Sequence, residues 1–369
     1  MRLVIDCFKL IKGKGKSIGI YNVAQGIVSH LGELNCKEKK ADIIVLGNVE
    51  NQNDFDVPGV QFVKVDKYNP QNKIDVVCWE LFHVHSACKR LKADKVFFPR
   101  GFTSLFHSIY DIVLIHDLIP FYYHEHFPHI FNRIENAYIM DRLKKSARGA
   151  KKIITISQAS KHDIIKYCGV KEDKIVVINN ACENKSELTS YTVENTKPYI
   201  SAMTSGLPHK NAIGIVESYK KYCETVDNPE DLVIIGLDNI NDFNIPEEIK
   251  EKITCYKYIK STEDMYKIIK GSNLFLFLSL TEGFGLPPIE AMNLEVPVIC
   301  SNTSSMPEVV GDAAVLVDPN DYDKIAYQID AIANDEDKRK ELILKGLKNV
   351  TRFSWESRTN LYWNEIVNE

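Results

Sequence analysis

Leu274-Phe275-Leu276-Phe277-Leu278-Ser279-Leu280-Thr281-Glu282-Gly283-Phe284-Gly285-Leu286-Pro287-Pro288-Ile289-Glu290-Ala291-Met292 is the most informative stretch of the chain. An apolar run of strand length reads as a strand buried on both faces. A loop with two glycines follows, and a proline whose fixed φ suits a first helical turn opens a helix over Pro288–Asn293. Gly283 and Gly285 let the backbone approach a ligand closely, and loop and first-turn N–H groups can bind oxygen anions. A carboxylate beside such a site would repel phosphate unless it serves hydroxyls instead. Glu282 in the loop is placed to accept from sugar hydroxyls, and Glu290, read as lying in the first helical turn, to reach a ribose diol. The plainer alternative has Glu290 complementing the helix dipole and Glu282 in solvent.

Outward from this stretch, short apolar runs alternate with longer amphipathic ones, the pattern of parallel strands joined by helices. In the first half the strands are predicted at Leu3–Phe8, Asp42–Leu46, Val60–Val65, Lys95–Pro99, Ile112–Ile115, Ile153–Ile156 and Ile175–Ile178, with helices at Tyr21–Leu31, Ile74–Leu91, Asn132–Arg148 and Gln158–Tyr167. Glu183–Lys197 is polar and reads as a linker. A second series follows, with strands at Tyr199–Met203, Leu232–Ile235, Leu274–Leu278, Val298–Cys300 and Ala314–Val317 and helices near Lys210–Cys223, Thr262–Lys270 and Tyr322–Ile332. The expectation is α/β: two Rossmann-like, doubly wound domains facing a central cleft, 1–190 and 191–353, with a capped helix at 354–369. Ligands of such sheets sit at the carboxyl ends of the strands. A length of 369 residues suits two domains, and a net charge of −4 excludes the basic footprint that nucleic acid requires.

The spacing of Glu282 and Glu290 within Glu-Gly-Phe-Gly-Leu-Pro-Pro-Ile-Glu-Ala-Met closely resembles the signature of family 4 retaining glycosyltransferases of the GT-B fold. Pro297–Asn302, Met306–Ala314, Ile115–Pro120, Ser157–Ser160 and Lys174–Asn180 resemble further landmarks of that family, in family order, and the pattern is most similar to the bacterial mannosyltransferases of surface polysaccharides. The resemblance implies a cytoplasmic hexosyltransferase whose 354–369 helix crosses back to the first domain. Its co-substrate would be a nucleotide-diphosphate sugar, GDP-mannose before UDP-sugars, with no metal or other cofactor. The acceptor would be a glycan or lipid-linked oligosaccharide. Glu282 would bind the donor sugar with the backbone around Gly283, Phe284, Gly285 and Leu286, and Glu290 would hold the ribose. Lys210, flanked by Ser205 and His209, would contact the diphosphate and steady the leaving group. His116 at a strand end would lie beside the donor sugar. Asp117 and the Ser17-Ile18-Gly19-Ile20-Tyr21 loop would border the acceptor. Rivals of other classes are a sugar-nucleotide epimerase and a non-catalytic sugar-nucleotide-binding subunit.

Two departures from the family pattern stand at the diphosphate segment, where His209 replaces arginine and Thr204 a glycine. Histidine is half neutral near pH 6.5, so donor affinity is expected to weaken above neutrality. Ser17 and Ile20 also depart from the family loop. Arg142, Lys144, Lys145, Arg148, Lys151 and Lys152 form a basic run that reads either as a solvated helix face or as a peripheral contact with an anionic membrane. Other patterns carry less. Gly15-Lys16-Ser17 lacks the first glycine of a phosphate loop. Asp54-Phe55-Asp56 reads as a turn and Asp321 as a helix cap. His124, Glu125, His126 and His129, read as a loop by the acceptor entrance, follow no established metal spacing. Nine cysteines without Cys-x-x-Cys point to free thiols.

Overall fold

The computed structural model describes residues 1–13, 18–182 and 197–368. Gly15, Lys16, Ser17 and most of the expected linker, including the expected boundary at 190, lie outside the described residues. The chain divides into two compact units, Met1–Ala181 together with Trp355–Glu369, and Cys182–Ser354.

In the first unit the strands are β1 (Arg2–Asp6), β2 (Asp42–Gly47), β3 (Gln61–Lys64), β4 (Lys95–Phe98), β5 (Tyr110–Ile115), β6 (Lys152–Thr155) and β7 (Ile175–Val177). They form one sheet in the order β3-β2-β1-β4-β5-β6-β7, with each pair parallel. Parallel pairs need helical crossovers, which cover both faces and leave the central strands buried. Lys95–Phe98 is accordingly buried at every position.

The second unit repeats the plan with β8 (Tyr199–Met203), β9 (Asp231–Ile235), β10 (Ile253–Tyr256), β11 (Leu274–Phe277), β12 (Val298–Ser301) and β13 (Val315–Val317). Their order is β10-β9-β8-β11-β12-β13, again parallel throughout. Both sheets therefore reverse direction beside their first strand, between β1 and β4 and between β8 and β11. This is the topological switch point of a doubly wound sheet, where ligands bind.

Several expectations are corrected. His124, Glu125 and His126, read as loop, lie in the helix Ile119–His126 with Pro120 in its first turn. The helix after β11 begins at Leu286, with Pro287 and Pro288 in its first turn, so Glu290 lies beyond that turn and the dipole account of it falls. Asp54 sits in a short helix, Gln52–Phe55, rather than a turn. The strand β10 had no counterpart in the sequence reading. All nine cysteines are free.

Residues 355–368 pack within the first unit. The Trp355 ring stacks on His30, centroids 4.5 Å apart, and fills the place a Cβ would take at Gly26, which would lie 2.2 Å from the indole. Further along, Lys95 Nζ donates to the Ile366 carbonyl at 3.0 Å, and Lys152 pairs with Glu365 at 2.7 Å.

Candidate functional site

The second unit places its functional residues on the two loops that leave β8 and β11, neighbours across the switch point. After β8 the chain turns through Thr204 and Ser205 into a single tight turn, Pro208–Lys210. Thr204, standing where a glycine was expected, uses its hydroxyl to hold the Lys210 carbonyl at 2.7 Å. Ser205 Oγ accepts from Leu207 N–H at 3.3 Å. Asn211, at φ 53°, caps the helix Ala212–Thr225. Its amide also donates to the Leu278 carbonyl at 3.0 Å, tying this loop to the end of β11. The consequence is a fixed lysine: Lys210 Nζ lies 2.6 Å from Glu282 Oε1 and 5.8 Å from the centre of the Phe277 ring.

The Glu282 loop is held by hydroxyls from the segment after β12. Ser304 Oγ donates to the Glu282 carbonyl at 2.7 Å and accepts from its N–H at 3.2 Å. Ser305 Oγ reaches the Phe284 carbonyl at 2.8 Å, and Thr303 Oγ1 the Leu280 carbonyl at 3.0 Å. Phe284 turns its ring inward, edge-on to Phe353 at 5.4 Å, so its exposed contribution is backbone. Gly285 adopts φ +99°, and a Cβ there would lie 2.1 Å from the Met306 side chain. Only glycine fits. One turn further, Glu290 Oε1 accepts from the Tyr266 hydroxyl at 2.8 Å, which fixes the rotamer of this carboxylate.

His209 corrects a sequence expectation. Its ring is buried, and that burial, reinforced by the neighbouring Lys210 charge, pushes its pKa down to about 4. It stays neutral from pH 6 to 8, so it neither replaces an arginine's charge nor brings the expected pH dependence.

In the first unit, His116 stands at the carboxyl end of β5, buried, with Nε2 2.8 Å from the Pro99 carbonyl. A carbonyl only accepts, so Nε2 carries the hydrogen and Nδ1 presents a lone pair. Burial lowers this pKa also to about 4. Asp117 Oδ1 accepts from Ile119 N–H at 3.1 Å, opening the next helix. At the end of β1, Asp6 accepts from the Trp79 indole at 3.1 Å, and burial raises its pKa to about 6. Glu80 and Arg100 form an ion pair that adds charge to this centre. Ile18 is exposed and the Cα of Gly19 faces open space. Tyr21 is buried, with its ring edge-on to Phe55 and its hydroxyl on Asp54 at 2.5 Å. Tyr21 thus packs inside the unit and gives Asp54 a structural partner.

Comparison with known proteins gives two family models that match in sequence order: Glycosyltransferase Family 4 over residues 46–183 and Glycosyl transferases group 1 over residues 184–349. The O-antigen chain mannosyltransferase B of Escherichia coli is 31% identical over 67% of this chain and 68% of its own length. The chain belongs to the family 4 glycosyltransferases. The O-antigen chain mannosyltransferase RfbU of Salmonella typhimurium is 28% identical over 57% of each protein. Among solved structures, Anabaena Alr3699/HepE in complex with UDP and glucose shares the fold over the whole of both chains, with TM-score 0.68 at 13% identity.

Several residues of the transferase prove structural. Asp321 caps the helix Tyr322–Ala333, accepting from Lys324 N–H. Glu125 accepts from the Tyr167 hydroxyl at 2.8 Å, His126 packs on Tyr122 at 4.4 Å, and His129 meets Arg133 at 3.3 Å. Among the described residues no group of three or more His, Cys, Asp or Glu side chains is placed to hold a metal. The basic run is divided between buried, paired and exposed positions. Arg142 is buried with a guanidinium N–H on the Thr103 carbonyl, Lys145 pairs with Asp141, Arg148 donates to the Cys168 carbonyl, and Lys152 pairs with Glu365. A cavity of about 590 Å³ lies between the helices Ile119–His126 and Arg133–Gly149, walled by Tyr123, Phe127, Phe131 and Met140 with Arg133 and Lys144 beside them. Among the described residues no helix is long and apolar enough to cross a membrane.

Proposed function

We propose that this glycosyltransferase moves mannose from GDP-mannose to a glycan or lipid-linked glycan of a surface polysaccharide, retaining the anomeric configuration and using no metal. The observation that carries the reading is the meeting of Lys210 and Glu282 at 2.6 Å on adjacent strand ends of the second unit. A cation for a diphosphate and a carboxylate for hydroxyls, within reach of one ligand, match the two halves of a sugar nucleotide. Mannose is favoured because the relatives of similar sequence are mannosyltransferases.

In the reaction the bond between the sugar's anomeric carbon and the phosphate oxygen breaks, and the nucleoside diphosphate departs with the bonding electrons. The acceptor hydroxyl oxygen forms the new bond on the same face and its proton passes to the leaving phosphate. Lys210 supplies the fixed charge that stabilises the developing diphosphate, so the positive centre comes from the protein. Glu282 and the backbone of Gly283–Leu286 hold the sugar, and Glu290, oriented by Tyr266, holds the ribose. His116, neutral and donating Nε2–H to Pro99, contributes as an acceptor at Nδ1. The aromatic cavity between helices Ile119–His126 and Arg133–Gly149 is assigned to the acceptor, with aromatic faces for sugar or isoprenoid carbons.

The test is transfer from GDP-mannose and from UDP-glucose to a lipid-linked glycan, with product linkage read by NMR. Glu282→Ala and Lys210→Met are each expected to lower kcat/KM by about 100-fold or more. Unchanged transfer in Glu282→Ala would end the site assignment. Preference for UDP-glucose would move the donor reading to UDP-sugars, and an epimer formed from donor alone would favour the isomerase.

A further inference from the structure

In the ligand-free site Lys210 Nζ and Glu282 Oε1 satisfy each other at 2.6 Å. The glutamate side chain retains 11% of its surface and the lysine 27%, so water screens the pair only in part. On the nucleotide-sugar reading, which this inference rests on, the two groups have different ligands: the ammonium takes the diphosphate and the carboxylate takes sugar hydroxyls. While they hold each other, one N–H of the ammonium and Oε1 of the carboxylate are withheld from those ligands.

We infer that donor binding is an exchange of partners at Lys210–Glu282, and that this exchange makes the site select the intact sugar nucleotide against the nucleoside diphosphate alone. A diphosphate without its sugar draws Lys210 away and leaves Glu282 a mostly buried carboxylate facing a polyanion with no donor to answer it. Such a group costs much of its desolvation. The intact donor brings hydroxyls in the same event, so each charge lost to the exchange is replaced.

The backbone is built for a change confined to the two side chains. Thr204 Oγ1 holds the Lys210 carbonyl at 2.7 Å, and Ser304 holds both the N–H and the carbonyl of Glu282. Only the ammonium and the carboxylate need to turn. After transfer the product lacks the sugar, Glu282 again faces phosphate, and re-forming the ion pair drives the diphosphate out. The pair is therefore a specificity device on entry and a release device on exit.

The measurement is isothermal titration of GDP, UDP, GDP-mannose and UDP-glucose into the wild type, Glu282→Gln, Glu282→Asp and Lys210→Met at constant salt. Glu282→Gln removes the competing charge, so the nucleoside diphosphate is expected to bind about 3–10-fold tighter while the preferred sugar nucleotide binds about 10-fold weaker. These are changes of opposite sign. Glu282→Asp keeps the charge and shortens its reach; it should lie between the two. Lys210→Met should weaken both ligands. Circular dichroism and thermal unfolding verify that each variant is folded, and the aspartate variant serves if glutamine does not fold.

Parallel loss of both ligands in Glu282→Gln, or an unchanged diphosphate affinity, would overturn the exchange while leaving the nucleotide-sugar reading intact. Wild-type protein that takes none of the four ligands would end that reading and the exchange with it.

Discussion

The two units share one strand order and differ in how they finish it. In the second, the strand ends at the switch point open into loops whose charged side chains, Lys210 and Glu282, remain partly exposed and paired with each other. In the first, the loop after β4 also carries a paired charge, Arg100 with Glu80, the end of β1 adds Asp6, held by Trp79, and His116 at the end of β5 is locked to the Pro99 carbonyl. The same sheet therefore yields an ion pair across two neighbouring loops in one unit, and in the other an ion pair joined by a further carboxylate and an indole. Lys210 is proposed to meet a diphosphate, and the acceptor is assigned instead to the aromatic cavity of the first unit.

The largest expected effect that probes this comparison is Gly285→Ala. The positive φ strains any side chain there and the end of the Met306 side chain would have to shift, so donor binding should be lost and the second unit destabilised by about 2–4 kcal/mol. Gly19→Ala, whose Cβ would meet nothing within 4 Å, should leave folding intact. Differential scanning calorimetry and donor titration on both variants read the contrast. Equal damage would mean that the two units are not built differently at their strand ends.

Next in size is Gly26→Ala in the first unit. The added methyl must displace the Trp355 ring, at about 1–3 kcal/mol. Tryptophan fluorescence during chemical denaturation reads it. Retained stability with an unshifted emission maximum would show that the indole is not lodged as described.

Tyr266→Phe is expected to weaken donor affinity about 3–10-fold, because Glu290 loses the hydrogen bond that orients it. Its signature is a raised donor KM at little-changed kcat. A lowered kcat at constant KM would place Glu290 elsewhere in the cycle.

The smallest effect concerns pH. Each unit carries one histidine lowered to about 4, His116 in the first and His209 in the second. A histidine whose folded pKa is depressed gives its full stability above the unfolded value near 6.5 and loses it as pH falls toward 4. The wild type should therefore lose stability on acidification through that window, and His209→Gln should lose less. Donor affinity from pH 6 to 8 should show no step due to His209. A step abolished by His209→Gln would show that the ring is charged there.

Most of the fold was legible because central parallel strands are buried on both faces and read as apolar runs, as at Leu274–Phe277. β10 escaped notice because it is an edge strand, with two of its four residues, Thr254 and Tyr256, exposed. Ile119–His126 hid its helix behind aromatic and histidine residues of indifferent propensity. At the site, Glu282 and Glu290 were visible as carboxylates around a glycine loop, and Lys210 through its match to the family's lysine. The hydroxyl clip of Thr303, Ser304 and Ser305, the tie through Asn211 and the tyrosine behind Glu290 were not. These act across 21 to 67 positions of separation, and no local pattern marks them. His209 misled for a related reason: its charge state depends on burial, which the residue type alone does not reveal.

The seating of Trp355 has a bearing on how the molecule is made. Residues 355–368 complete a unit whose other members are residues 1–181, so on the ribosome the first sheet waits, through synthesis of the whole second unit, for the segment that covers Gly26 and answers Lys95 and Lys152. During that interval the nascent protein carries an unfinished apolar notch. Growing chains halted before residue 355 are therefore expected to be chaperone clients, and release from the chaperone should coincide with emergence of this last turn of helix.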